Sequence, residues 1–220
     1  MQFSALLFDL DGTLVDSLDR VEQSWQQWAQ ARGLNASEVI AFLHGKPAIA
    51  TFRHFMPQAS AGEIEQEFLR LEAYEARSAQ GIAAVDGAGE FLQQVQSLAI
   101  PWAVVTSGSR KVATARIRAA KLPAPPILIT SENVLTGKPH PQPFLLAAEA
   151  LGVAAAACIA FEDSLAGLTA AQSASCQVIE LRTTKSVEHH VDCILTLDNY
   201  RNIWPAISEN NFYLNGSAKN

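Results

Sequence analysis

Five short apolar runs set the outline of this chain, because each stops abruptly at polar residues and most are separated from the next by a helical stretch. They are Phe3 to Phe8, Ile100 to Val105, Ile127 to Ile129, Cys158 to Phe161 and Val178 to Leu181. A short apolar run without alternation reads as a strand buried on both faces. Such strands, alternating with helices of about a dozen residues, make a parallel sheet covered on both sides. The expected fold class is therefore α/β, with a doubly wound parallel sheet.

Between residues 17 and 81 the alternation gives way to helical patterns alone. Ser17 is placed to cap a helix whose apolar face is Leu18, Val21, Trp25, Trp28 and Ala29, the two tryptophans reading as core. Pro47 can open a helix that Pro57 stops, and Ser60 with Glu63 makes a capping box ahead of Ile64, Phe68 and Leu71, with Gly81 as the stop. An all-helical segment inserted after the first strand is expected to cover the carboxyl ends of the strands, where open α/β sheets bind ligands. The predicted organisation is a core of residues 1–16 and 82–207, a helical cap of residues 17–81 and a polar, flexible tail over 208–220.

Charge and composition exclude several classes of function. With 16 Lys+Arg against 22 Asp+Glu the formal charge is −6, and no basic cluster is present to neutralise a phosphate backbone, so no nucleic-acid partner is expected. The longest apolar run, Leu151 to Phe161, is too short for a membrane span, and Asp9 interrupts the place where a secretory leader would be apolar. Cys158, Cys176 and Cys193 are widely spaced with no C-x-x-C, which argues against a disulfide framework or thiolate zinc. The expectation is a cytoplasmic, monomeric, enzyme-sized protein without membrane partners.

Four stretches carry the chemistry. F-D-L-D-G-T-L at Phe8 to Leu14 puts two carboxylates, one residue apart, at a strand end. It does not fit a calcium loop of the EF-hand type, since Gly12 is fourth rather than sixth from Asp9 and Arg20 stands at the twelfth position. V-V-T-S-G-S at Val104 to Ser109 ends a strand in hydroxyls and a glycine just before a helix, which makes an anion cradle. T-G-K-P at Thr136 to Pro139 holds Lys138 in a rigid connection, and F-E-D-S-L-A-G at Phe161 to Gly167 ends a strand in two adjacent acids. Taken singly these are a turn, a helix cap, a solvated lysine and acids facing a helix dipole. Together they fall at the carboxyl ends of predicted parallel strands, which the separate readings do not explain. Asp9, Asp11, Glu162 and Asp163 would then converge on Lys138, and each like-charged pair 4 Å apart costs about 4 kcal/mol at an effective dielectric of 20. Such a cluster demands a divalent cation, and its all-oxygen ligands suit magnesium.

In this order, with a helical insertion after the first, the four stretches resemble the haloacid dehalogenase superfamily, in its phosphatase branch with a small helical cap on a Rossmann-type core. The resemblance spans residues 3 to 198. D-G-T-L-V-D-S, H-G-K-P-A at His44 to Ala48, V-T-S-G-S and L-P-A-P at Leu122 to Pro125 are most similar to bacterial sugar phosphatases of relaxed specificity. The resemblance implies Asp9 as nucleophile, forming an aspartyl phosphate. It implies Asp11 as acid and then base, its backbone carbonyl also binding Mg2+. Asp9 and Asp163 would supply metal-ligand oxygens, with Glu162 a direct or water-bridged helper. Thr106, Ser107 and Gly108 would hold phosphoryl oxygens, with Lys138 balancing their charge. The substrate implied is a small phosphorylated sugar or sugar alcohol. Dehalogenase action is disfavoured, because those relatives lack the second acid that Asp11 supplies. The alternatives are a phosphosugar mutase of the β-phosphoglucomutase type, disfavoured because Val21 stands where the mutases carry a histidine, and a non-catalytic phosphosugar-binding protein. Ser175 and Cys176, where many members have Gly-Met, read as a change in helix termination.

Specificity is expected from the cap, with His44, Gly45 and Lys46 between two predicted helices as candidates and Arg53 free to meet substrate or a surface acid. His189, His190, Asp192 and Cys193 superficially resemble a metal cluster, but neighbours on an extended chain face opposite ways.

Overall fold

A computed structural model describes residues 1–43, 46–77, 81–183, 191–209 and 211–216. In chain order the strands are β1 (Gln2–Phe3), β2 (Ala5–Phe8), β3 (Val15–Asp16), β4 (Ala83–Ala84), β5 (Trp102–Val105), β6 (Leu128–Ile129), β7 (Cys158–Glu162), β8 (Gln177–Leu181), β9 (Leu195–Leu197), β10 (Ile203–Ser208) and β11 (Asn211–Gly216). The helices are α1 (Leu18–Gln30), α2 (Ala36–Leu43), α3 (Ala48–Phe55), α4 (Ala61–Arg77), α5 (Ala88–Ser97), α6 (Arg110–Ala119), α7 (Gln142–Ala150) and α8 (Leu165–Ser173).

Six strands form one parallel sheet in the order β6-β5-β2-β7-β8-β9. The expected runs supply five of them; β9 is a sixth. Alternation along β2 splits the core in two. Leu6 and Phe8 join Phe91, Trp102, Phe161 and Tyr200 on one face, while Ala5 and Leu7 join Phe144, Ala147 and Leu168 on the other. Two buried faces explain why β2 reads as an uninterrupted apolar run.

The helices α1 to α4 enclose an apolar cluster of their own. Trp25, Trp28 and Phe52 are mutually packed with ring centroids 4.9 to 5.4 Å apart, as expected for core tryptophans. The backbone N–H of Ser60 donates to Glu63 Oε2 at 2.8 Å and that of Glu63 to Ser60 Oγ at 3.3 Å, so the capping box forms. Pro47 precedes α3 as expected. Ser17 stands at the N-terminus of α1 but its side chain does not cap the helix.

The flexible tail expected over 208–220 is corrected at Ser208 and over residues 211–216, and the expectation for residues 217–220 lies outside the described residues. Residues 203–208 and 211–216 are strands, and β11 pairs antiparallel with both β10 and β1. Leu214 is 1% exposed, its N–H donates to the Met1 carbonyl, and Phe212 stacks on Phe3. The polar composition misleads because this small sheet buries one side only, and Pro205 is tolerated because β10 lies at its edge. The single strand expected from Phe3 to Phe8 divides for the same reason, since β1 serves this sheet and β2 the parallel one.

Candidate active site

Strand register assembles the site. Phe8 pairs with Phe161 on one side and with Val104 on the other, so the residues that follow, Asp9, Glu162 and Val105, emerge side by side at one edge of the sheet. The Asp9 N–H donates to the Phe161 carbonyl at 2.9 Å, which holds the first aspartate in line with its strand. Asp163 follows Glu162 directly. One ligand oxygen from each of Asp9, Glu162 and Asp163 lies within 4.8 Å of the others, and all three residues are buried.

Lys138 reaches this edge from the connection after β6. Its ammonium, 2% exposed, donates to Asp9 Oδ1 at 2.6 Å, to Glu162 Oε1 at 2.5 Å and to the Val105 carbonyl at 2.9 Å. All three donor positions are thereby used. Burial alone would lower the lysine's proton affinity, but the two carboxylates outweigh it and raise it above the ordinary value. Burial pushes the Asp9 carboxyl up to about 8, with Lys138 opposing and Glu162 adding. Asp163 is driven well above the carboxylate range by burial and then by the charges of Asp9 and Glu162. Three clustered carboxylates therefore face one ammonium in a dry site, and the surplus negative charge fits a hard divalent cation.

Glu162 is fully occupied. Beyond Lys138, its Oε2 accepts from the backbone N–H groups of Asp163 and Ser164 and from Ser164 Oγ, at 3.0 to 3.2 Å. Gly12, at φ 88, lies so close to Asp163 that a side chain there would collide with its carboxylate.

Asp11 is turned differently from Asp9. Ser17 Oγ donates to its Oδ1 at 2.5 Å, and Arg116 Nη1 donates to its Oδ2 at 2.5 Å. Arg116 Nη2 donates in turn to Glu75 Oε2 on α4 at 2.9 Å. Sequence reasoning missed Arg116 and Glu75, and gave Ser17 the wrong role. Arg116 is one of three arginines and a lysine spread along α6, and nothing in R-K-V-A-T-A-R-I-R-A marks it as the one that turns inward.

Between the helical segment and the sheet edge is a cavity of about 1000 Å³. Asp9, Asp11, Asp163, Thr106, Ser107, Gly108 and Lys46 all line it. The Gly108 N–H donates to Thr106 Oγ1 at 3.0 Å, closing the hydroxyl-bearing loop on itself. Lys46 Nζ sits 3.5 Å from the centre of the Phe42 ring, which also lines the cavity. His44 and Gly45 lie outside the described residues, as do His189 and His190. Arg53 is exposed and is not among the lining residues. Among the described residues no helix is long and apolar enough to cross a membrane.

Known proteins resemble this chain over most of its length. The family described as haloacid dehalogenase-like hydrolase matches residues 6–181. Hexitol phosphatase A of Escherichia coli K12 is 46% identical over 197 residues, covering 89% of this chain and 91% of that protein. Validoxylamine A 7'-phosphate phosphatase of Streptomyces hygroscopicus subsp. limoneus is 31% identical, covering 93% and 98%. Among solved structures, a hydrolase from Pseudomonas syringae superimposes with a TM-score of 0.79 at 23% identity, over 89% of this chain and 93% of that one.

Proposed function

Because the chain belongs to the haloacid dehalogenase-like hydrolases, we propose that it is a magnesium-dependent phosphatase that removes phosphate from small sugars or sugar alcohols through an aspartyl phosphate on Asp9. One observation carries the reading: a buried carboxylate pinned by Lys138 at 2.6 Å lines a cavity large enough for a phosphorylated hexitol. The kinship with a hexitol phosphatase supports the substrate class.

Asp9 attacks phosphorus in line, forming the Asp9 O–P bond as the sugar P–O bond breaks. Lys138 holds the other carboxylate oxygen, so the attacking one keeps its direction. Asp11 gives a proton to the departing sugar oxygen. It then takes one from the water that attacks the phosphoenzyme, which restores Asp9 and frees phosphate. Thr106, Ser107 and the backbone of Gly108 hold the phosphoryl oxygens, and the Gly108 N–H exchanges Thr106 Oγ1 for phosphate. Lys138 screens the charge that builds on the transferred group.

Asp9, Asp163 and the backbone carbonyl of Asp11 would hold the ion. Glu162 stays within reach, though its oxygens already serve Lys138 and the backbone. When bound, magnesium supplies the charge neutralisation that lets two carboxylates and a phosphate share one dry site.

The helical segment of residues 17–81 acts as a cap over the core, and Lys46, resting on Phe42 of α2, is the described residue of the specificity loop that His44 and Gly45 would complete. Val21 lines the cavity, which favours hydrolysis over the mutase alternative, since no imidazole stands at that position. Three cysteines without disulfides suit a reducing cytoplasm.

Purified protein given a panel of pentose, hexose and hexitol phosphates should release phosphate with magnesium and stop with EDTA. Asp9→Asn should abolish turnover and keep the fold. Release from no compound in the panel would sink the reading.

A further inference from the structure

Arg116 joins three elements that come from distant parts of the chain. Its guanidinium is 5% exposed and pairs at once with Asp11, in the loop after β2, and with Glu75, on α4. Glu75 is in turn held by Ser24 Oγ of α1 at 2.8 Å. The helices α4 and α6 pack directly, and a second pair, Lys111 to Glu72 at 3.2 Å, crosses the same interface. The continuous chain Ser24–Glu75–Arg116–Asp11 thus runs from two cap helices to the loop that carries the proposed acid.

Both Asp11 oxygens are engaged, one by Ser17 and the other by Arg116. Each oxygen keeps a second lone pair, and the two partners fix where it points, so the angle at which Asp11 meets a departing sugar oxygen depends on them. A guanidinium is a rigid planar fork, so when α4 shifts with the cap, the nitrogen bonded to Asp11 shifts with the one bonded to Glu75. We propose that Arg116 is a positioning residue, tied by Glu75 to the cap, that sets the orientation of Asp11 according to where the cap lies. The proposal rests on the phosphatase reading above. It goes beyond that reading by assigning a role to residues outside the four stretches.

The test compares two substrates that differ in their need for Asp11. p-Nitrophenyl phosphate expels a stabilised phenolate that needs no proton, whereas sorbitol 6-phosphate expels an alkoxide that does. In Arg116→Met the ratio of sorbitol 6-phosphate to p-nitrophenyl phosphate turnover should fall about tenfold, a part of the roughly hundredfold or more that a positioned acid supplies because Ser17 still holds one oxygen, with the loss in kcat rather than KM. Glu75→Gln should lower the same ratio, and the double variant should match Arg116→Met alone, because both changes cut one linkage. Arg116→Lys, which keeps the charge but not the fork, should recover part of the loss. Thermal melts establish which variants are folded, and should Arg116→Met fail to fold, Glu75→Gln, which leaves the arginine in place, decides. Equal slowing on both substrates, unchanged ratios, a rise in the ratio or multiplying effects in the double variant would each overturn the proposal. A wild-type protein that hydrolyses neither substrate would instead sink the phosphatase reading itself.

Discussion

The carboxylate of Glu162 occupies the space in which any side chain on Gly167 would begin. Gly167 lies in the first turn of α8, where Ser164 Oγ caps its N–H at 3.1 Å, and the glycine lets the helix close over the acid that anchors Lys138.

This closeness makes Gly167→Ala diagnostic. In an open helix the change would add up to about 1 kcal/mol of stability, because alanine is the better helix former. Here the new methyl must displace Glu162, which loosens Lys138 and through it Asp9. Both the melting temperature and phosphatase kcat should fall, the latter about tenfold or more, as for a misplaced charged group at the reacting centre. A variant that melts higher than wild type with full activity would show that Glu162 has room to move.

Lys138→Met tests what the ammonium does for the fold. Removing one partner from a buried ion cluster costs about 3 to 5 kcal/mol, because the charges left behind are uncompensated. For a chain of this size that amounts to a melting temperature lower by about 10 °C. The deficit should shrink as pH is lowered, since a protonated Asp9 no longer needs the ammonium. A pH-independent deficit would point to lost packing against Phe144, whose ring the ammonium overlies, rather than lost charge.

Proton uptake gives the metal-free protein a signature of its own. Asp9 titrates at about 8 in the fold against a usual 3.8, chiefly because it is buried. Between those values the folded state holds a proton that the unfolded state lacks, so this group's contribution to stability falls as pH rises from about 4 to about 8. Asp163 is shifted in the same direction and adds to the effect. A divalent cation needs the carboxylates ionised, so stabilisation by magnesium should grow over the same range. Melting curves in EDTA and in magnesium, taken at pH 5.5 and pH 8, should show the gap widening at the higher pH. A gap that is constant, or that narrows, would place the ion elsewhere.

Lys46→Met addresses the substrate end of the cavity. The ammonium lies over Phe42 and lines the same space as Asp9. Losing it should raise KM for sugar phosphates about fivefold and leave kcat nearly unchanged, since the group meets the bound molecule away from the reacting bond. A loss confined to kcat would move Lys46 into the chemistry.

What the sequence reveals and conceals divides along physical lines. Five strands of the parallel sheet and the residues at their ends are legible because burial on two faces writes itself as an apolar run that stops at polar residues, whereas β9, only partly buried, leaves no such run. Arg116 and Glu75 are not legible, because both lie on helices rich in charge and only the docking of α4 on α6 decides which charges turn inward. Ser17 is ambiguous for a local reason: a serine ahead of a helix can bond its own helix or reach elsewhere, and the nearby Asp11 carboxylate takes it.

The C-terminal hairpin is the largest departure from the sequence reading, and it makes a measurable difference. A flexible tail would tolerate any substitution, whereas Leu214 is buried beneath the sheet that β11 forms with β1 and β10. Leu214→Ala removes a packed side chain from a site that only partly collapses, at a cost of about 2 to 5 kcal/mol. Its exposed neighbour Asn215, paired in register with Trp204, should accept alanine within about 0.5 kcal/mol. Urea melts of the two variants separate the cases, because only the strand predicts a difference between adjacent positions. Equal midpoints for Leu214→Ala, Asn215→Ala and wild type would return this segment to the status of a tail.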